Sequence, residues 1–348
     1  MVNIKNYMNY NLKNNNPVDI VYTWVNSEDE NWLTKKNDTL KKYKNIKLKK
    51  EISEKSRFQN RDELKYSLRS VEKFAKWIRN IYIVTDNQKP DWLNCNHPKI
   101  NIINHADIFK KINLPLFNSN AIGSRLHHIK GLSDDFLYLN DDVFLGRTTT
   151  KNDFFYSDEK PKIFVGDKLK LNKNLLKKES MPNDNIHQRA ILNSRRLIFN
   201  KFNIIVPYTL RHGVICYNKL NNFEVESLFL KELNKMLQNQ FRDNSDLVFS
   251  TLVAYYLIAT NKSEPIKIKP YRKDYWKYKF NIFRKNRDFL FIPLYMHKKK
   301  IIERFNIIKK YKPLMFCVND GLNTIEANSL IAIKELDNIF PKKSEFEK

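Results

Sequence analysis

The chain has 348 residues, and 63 Lys and Arg against 38 Asp and Glu give it a formal charge of +25. With 42 % hydrophobic and 13 % aromatic residues, it has apolar side chain enough for the packed core of one large domain or two ordinary ones, which excludes wholesale disorder. Its longest uncharged apolar-leaning run, 247–261, falls short of the roughly 20 residues that cross a bilayer, and the amino end lacks the apolar stretch of a secretory signal.

Residues 1–16 are Asn-rich and polar and read as a mobile tail. Structure is expected from Pro17. The β-branched and aromatic run 18–25 reads as a buried strand that delivers Asn26, Ser27, Glu28 and Asp29 at its carboxyl end. Apolar residues at Leu64, Leu68, Val71, Phe74, Ala75 and Ile78 follow helical spacing over 62–78. Strands are expected at 81–85, ending at Asp86, at 100–103, and at 136–139, which Asn140, Asp141 and Asp142 follow at once. A helix is expected between the last two, over 118–129. The second half reads as more helical, with 3.6-residue spacing over 185–199, 223–237 and 245–259.

Strands separated by helical segments imply a mostly parallel α/β sheet of Rossmann type with helices on both faces and a more helical second half packed on it. Ligands of such sheets bind at the carboxyl ends of the strands. No linker divides the halves, so 17–330 is expected to be one catalytic domain. Residues 17–156 would hold nucleotide sugar and metal, 157–330 would form the helical half, and 331–348 would be a tail.

Cys95, Cys216 and Cys317 are far apart and free of C-x-x-C spacing, so neither a disulfide framework nor a zinc cluster is expected. They read as reduced, packed thiols of a cytoplasmic protein. Average usage would give about two dozen glycines, whereas the chain has six. Their spacing excludes a G-x-G-x-x-G loop and a P-loop. The excess charge would draw nucleic acid, an anionic membrane face or an anionic polymer. Its lysines are scattered and no RRM, zinc-finger or helix-turn-helix pattern is present, which makes nucleic acid the weakest of the three; a solvated Lys-rich surface is the plain alternative.

The sharpest local signal is Asn140-Asp141-Asp142 at a strand end. Two adjacent carboxylates repel unless a cation or donors stabilise them, and hard oxygen ligands suit Mg²⁺ or Mn²⁺, which in turn hold a diphosphate. His212 beside Gly213 could serve as a general base near neutral pH, or be a structural His. Arg242, after Phe241, offers a fork for phosphate, or is one more surface Arg. Asn319-Asp320-Gly321 is a functional cluster or a plain turn.

Together, Tyr22-Thr23-Trp24-Val25-Asn26, the Glu63 to Glu72 helix, Ile81 to Gln88, Trp92-Leu93-Asn94 and Tyr138 to Gly146 resemble the first two signature regions of the Stealth family. His212, Phe241-Arg242 and Cys317 to Gly321 resemble its third and fourth regions, in the right order. That family includes capsular polysaccharide phosphotransferases and the catalytic subunit of N-acetylglucosamine-1-phosphotransferase. The resemblance implies a glycosyltransferase-A-like fold and transfer of a hexose or N-acetylhexosamine 1-phosphate from a UDP-sugar to a glycan hydroxyl, with release of UMP, in capsular or cell-surface polysaccharide synthesis. It implies catalytic roles for His212, Arg242, Asp142 and Asp320 and a Mg²⁺ or Mn²⁺ ion on Asp141 and Asp142. Substrate contacts are implied at Tyr22, Thr23, Trp24, Asn26, Arg57, Arg69, Asp86, Asn87, Asn140 and Asn319. Trp24 could equally be core. Three departures stand out: Arg57-Phe58-Gln59-Asn60-Arg61 stands where the family usually reads Arg-Phe-Arg-Asp-Asn, Gly123 replaces a usual Glu, and His128 a usual Arg. A glycosyltransferase that releases UDP, or a degenerate basic protein that holds glycan or nucleic acid without turnover, are the competing readings. An enzyme with this charge is expected at an anionic membrane face or on its own charged polymer.

Overall fold

The computed structural model describes residues 16–42, 58, 60–171, 173, 176, 185–268, 288–321 and 323–348. All of the expected tail at 1–16 except Asn16, and the expected substrate residue Arg57, lie outside them. In chain order the elements are β1 (Val18–Thr23), α1 (Glu30–Lys41), α2 (Glu63–Phe74), β2 (Ile81–Thr85), β3 (Ile100–Asn104), α3 (His105–Ile108), α4 (Ser119–Gly123), β4 (Asp135–Asn140), β5 (Val143–Leu145), α5 (Lys151–Phe154) and β6 (Ile163–Lys168). There follow α6 (Ile186–Phe202), β7 (Tyr208–Leu210), β8 (Ile215–Asn218), α7 (Lys219–Leu228), α8 (Leu230–Met236), α9 (Phe249–Ala259), β9 (Pro265–Lys267), β10 (Phe289–Pro293), α10 (Lys298–Tyr311), β11 (Met315–Asn319) and α11 (Glu326–Ile339).

A five-stranded sheet in the order β3-β2-β1-β4-β8 organises the molecule, parallel throughout except for the antiparallel edge strand β8. Its central strands read as continuous apolar runs because both faces are covered. Alternate side chains feed two cores. Ile20, Tyr22, Ile81, Ile83, Leu137 and Leu139 pack with Leu64, Leu68 and Val71 of α2 on one face, while Val21, Tyr82, Val84, Phe136 and Tyr138 pack with α4, α7, α8 and α9 on the other. The fold is thus α/β, mostly parallel, with helices on both sides.

Two three-stranded sheets, β10-β11-β5 and β7-β6-β9, take every strand but β5 from the second half, which is therefore less purely helical than its periodicity suggests. Their strands are short and show no alternation to read. The expected helix at 118–129 divides into α4 and a 3₁₀ turn at Leu126–His128, consistent with the cost of about 1 kcal/mol that Gly carries in a helix interior. The expected helix at 223–237 starts earlier, at an N-cap Asn218 that accepts from the backbone of Leu220 and Asn221, and is interrupted at Phe229.

Residues 331–348 are not a tail. Most of α11 lies there, Ala332, Leu336, Phe340 and Phe346 are buried, and Glu347 is locked to Arg69. Cys95, Cys216 and Cys317 are all free thiols. Among the described residues, no helix is long and apolar enough to cross a membrane.

Candidate active site

Strand order reverses between β1 and β4, and in sheets of this kind the ligand crevice forms outside the carboxyl ends of the strands at such a switch point. Thr23 and Asn140 are register partners at those ends. The chain turns at Asp141 and Asp142 and leaves the main sheet as β5, which pairs antiparallel with β11, Val143 opposite Cys317. This crossing sets Asp142 against the fourth motif: its Oδ2 accepts from Asn319 Nδ2 at 3.1 Å and from the Cys317 thiol at 3.3 Å. On the other side, antiparallel pairing of β8 with β4 returns the 212–213 turn to the end of β4. His212 Nε2 lies 3.4 Å from Asp142 Oδ2 and 3.3 Å from Asn140 Nδ2. A side chain at 213 would sit 2.7 Å from Met315 Sδ, so Gly213 lets this turn pass close to β11.

The electrostatics follow from crowding carboxylates in a partly dry crevice. Burial, then the charges of Glu63 and Asp142, push Asp141 well above the carboxylate range. Burial, then Asp142 and Asp320, raise Glu63 to about 7. For Asp142 burial acts upward too, but His212, Asn319 and Cys317 outweigh it and hold the carboxylate below its usual value. Burial lowers His212, and the adjacent Asp142 more than reverses this, with Arg242 opposing. Burial keeps the Cys317 thiol protonated, so it is not a nucleophile here. Asp142 Oδ1 and Asp320 Oδ1 are buried without a hydrogen-bond partner. Orphaned carboxylate oxygens amid like charge fit a hard divalent cation.

Arg242 follows Phe241, which is buried and stacks on Phe117 at 5.1 Å. Its guanidinium donates to Ser119 Oγ of α4, at 3.0 Å from Nε and 2.5 Å from Nη2, and its charge reaches both His212 and Tyr138. Asp320 Oδ2 accepts from Arg61 Nε at 3.0 Å, while the Arg61 fork grips Glu326 at the head of α11 at 2.6 and 2.8 Å. Thr23 Oγ1 is 3.2 Å from the Tyr138 hydroxyl. Arg61 and Ser119 join the site without a sequence signal of their own, and Cys317, expected as a packed thiol, is one of the partners of Asp142. Glu63 joins it too, and an acid directly before Leu64, at the start of a helix whose apolar face is Leu64, Leu68 and Val71, was the available sign for it.

Other expected contacts are placed elsewhere. Tyr22 is fully buried, bonded to Ser67 Oγ at 2.7 Å, because β1 alternation turns it toward α2. Trp24 is 6 % exposed and belongs to the core with Leu93 and Phe346, so it offers no stacking face. Arg69 serves the carboxyl-terminal segment, bonded to Glu347 and to the carbonyl of Phe340. Asp86 is paired with Lys35 at 2.5 Å, and the Asn87 N–H donates to Asn104 Oδ1 at 2.8 Å in a left-handed turn. The Asn26 backbone is held at both ends by the Gln88 amide, at 3.0 and 2.8 Å.

Fold and site together define an α/β protein with an acid–histidine crevice at the switch point of a parallel sheet. Residues 57–163 match the Stealth protein conserved region 2. The chain is 38 % identical over 252 residues to a capsular polysaccharide phosphotransferase of Haemophilus influenzae, covering 71 % of this chain and 67 % of that one. It is 32 % identical over 364 residues to the capsular polysaccharide phosphotransferase SacB of Neisseria meningitidis serogroup A (99 % and 60 %), and 32 % identical over 338 residues to an exopolysaccharide phosphotransferase of Streptomyces coelicolor (95 % and 52 %). The chain therefore belongs to the Stealth family. It spans about half the length of the Streptomyces relative. Among solved structures, a galactosyltransferase, LgtC, in complex with donor and acceptor sugar analogues aligns over 94 % of this chain and 98 % of that one, with a TM-score of 0.40 and 12 % identity.

Proposed function

We propose that the chain transfers a hexose or N-acetylhexosamine 1-phosphate from a UDP-sugar to a hydroxyl of a glycan acceptor, releasing UMP and forming a phosphodiester of a capsular or cell-surface polysaccharide. One observation carries the reading: His212 Nε2 lies 3.4 Å from Asp142 Oδ2 in a crevice where the Arg242 charge is felt. The names of the relatives, polysaccharide phosphotransferases, support the same chemistry.

In the step this implies, the acceptor oxygen attacks the β-phosphorus, the bond from that phosphorus to the bridging oxygen breaks, and UMP leaves with the bridging oxygen. The acceptor proton passes to His212 Nε2. That nitrogen has a partner in both states, since the neutral ring accepts from Asn140 Nδ2 and the protonated ring donates to Asp142 Oδ2. Arg242 faces the phosphoryl oxygens, and Ser119 limits its movement. Asp142, with Asp141 and Asp320 beside it, would hold Mg²⁺ or Mn²⁺. The ion, when bound, supplies neutralisation of the diphosphate. Thr23, Asn140 and Asn319 line the donor end. The net charge of +25 supports docking of the enzyme at an anionic membrane face, which flotation with anionic liposomes at low and high salt tests.

The test is incubation of the purified chain with a panel of UDP-sugars, Mg²⁺ or Mn²⁺ and an oligosaccharide acceptor, with chromatography of the released nucleotide. UMP is expected. UDP, or release that does not depend on His212, overturns the reading.

A further inference from the structure

Asp142, His212 and Cys317 each offer one ligand atom, and the three atoms lie within 4.8 Å of one another. A tetrahedral zinc ion, with bonds of about 2.0 Å to oxygen or nitrogen and about 2.3 Å to sulfur, needs its ligands about 3.3 Å apart for O–N and about 3.5 Å apart for O–S. Asp142 Oδ2 is 3.4 Å from His212 Nε2 and 3.3 Å from Cys317 Sγ. Two edges of the tetrahedron are thus already close to their final lengths. Thiolate, imidazole and one carboxylate oxygen form a donor set for a soft or borderline ion and a poor one for Mg²⁺. His212 is 43 % exposed in its side chain, which leaves a way in and a fourth position for water. Asn319 Nδ2, 3.1 Å from the same carboxylate oxygen, fixes its orientation. No spacing rule reveals this group, because its members come from the β4–β5 turn, the turn before β8, and β11.

We propose that this face of Asp142 is a Zn²⁺ site, on the carboxylate oxygen opposite the unpartnered Oδ1, and that Zn²⁺ bound there inhibits the enzyme. On binding, the Cys317 S–H bond breaks, its proton goes to solvent, and a zinc–sulfur bond replaces it. The His212 Nε2 lone pair is then committed to the metal and cannot take the acceptor proton. Inhibition rests on the transferase reading above; binding does not.

The experiment titrates the metal-free chain with Co²⁺ as a spectroscopic probe and with Zn²⁺ by calorimetry. Expected are one Co²⁺ per chain, a near-ultraviolet thiolate-to-cobalt charge-transfer band, and bleaching of that band by one equivalent of Zn²⁺ but not by excess Mg²⁺. Cys317→Ser should abolish the band. His212→Ala, at a half-exposed position that tolerates truncation, should weaken Zn²⁺ binding at least tenfold. No thiolate band in the wild-type chain, a band that survives Cys317→Ser, or a Zn²⁺ affinity unchanged by His212→Ala overturns the site. Should Cys317→Ser fail to fold, the His212→Ala titration decides. Where UMP release is measured, one equivalent of Zn²⁺ should stop it, and full activity with the site loaded overturns the inhibitory role. A cobalt band in a chain that never releases UMP would leave the metal site standing and remove the transferase reading.

Discussion

Replacing Arg69 by Met separates two roles for a residue that sits inside a family motif. The guanidinium donates to both oxygens of Glu347 at 2.8 Å and to the Phe340 carbonyl at 2.8 Å, and lies 5.1 Å from the Tyr66 ring centroid. The two side chains are 9 % and 3 % exposed, so solvent screens the pair little. Removing one partner of a buried pair costs about 3–5 kcal/mol because the other charge is left behind. Ser344 still donates to Glu347 through its N–H at 2.8 Å and its hydroxyl at 3.0 Å, which places Arg69→Met at the low end, about 3 kcal/mol. Removing both charges in Arg69→Met/Glu347→Leu should recover all but about 1 kcal/mol. For Glu347, burial acts upward, yet the Arg69 and Ser344 bonds hold the carboxyl below its usual value. Its contribution is therefore present above the unfolded Glu value of about 4.3 and lost as pH falls through the lower folded value, so the gap between wild type and Arg69→Met should narrow on acidification. Urea unfolding at several pH values measures this. A loss under about 1 kcal/mol, a gap that widens in acid, or a raised donor KM in the folded variant would refute the structural assignment of Arg69.

His212→Ala should lower kcat by about 10²–10⁴ with little change in melting temperature, and a variant retaining a tenth or more of the wild-type rate would remove His212 as the base. Glu226 accepts from His127 at 2.7 Å and from His128 at 2.6 Å and pairs with Arg125. Although burial opposes them, these partners pull its carboxyl far below the usual value, so Glu226→Gln should cost about 2–3 kcal/mol at neutral pH and progressively less below about pH 4.3. A pH-independent cost would contradict that. At Gly123 a built Cβ meets nothing within 4 Å, and the position lies one turn after the Ser119 that holds Arg242. Gly123→Glu, which supplies the carboxylate that the family resemblance leads one to expect, should leave stability within about 1 kcal/mol and, on the metal reading proposed above, tighten Mn²⁺ binding; unfolding, or weaker Mn²⁺ binding, would count against it.

The four parallel strands of the main sheet were legible because each is a short run dominated by β-branched, aromatic or Leu side chains, and α2 because Leu64, Leu68 and Val71 repeat at helical spacing. Strands β5 to β11 were not, since runs of three to six residues are too short to carry a period. At the site, the partners of Asp142 came from motifs whose order could be read, but membership of a motif does not say which face a side chain takes. Tyr22 and Thr23 are neighbours in one motif, yet Tyr22 turns to α2 and Thr23 reaches the Tyr138 hydroxyl at the crevice. Arg61 and Ser119 were missed because each acts through a motif residue, Asp320 and Arg242 respectively.

The most direct measurement supplies a UDP-sugar labelled with ³²P at the β-phosphorus and follows the label after reaction with an acceptor. Because attack is placed at that phosphorus, with His212 and Asp142 beside it, the label should move into the glycan as an alkaline-phosphatase-resistant phosphodiester, and both His212→Ala and Asp142→Asn should abolish the transfer. Label that stays with the nucleotide while the sugar moves would place the chemistry at the anomeric carbon and contradict the account.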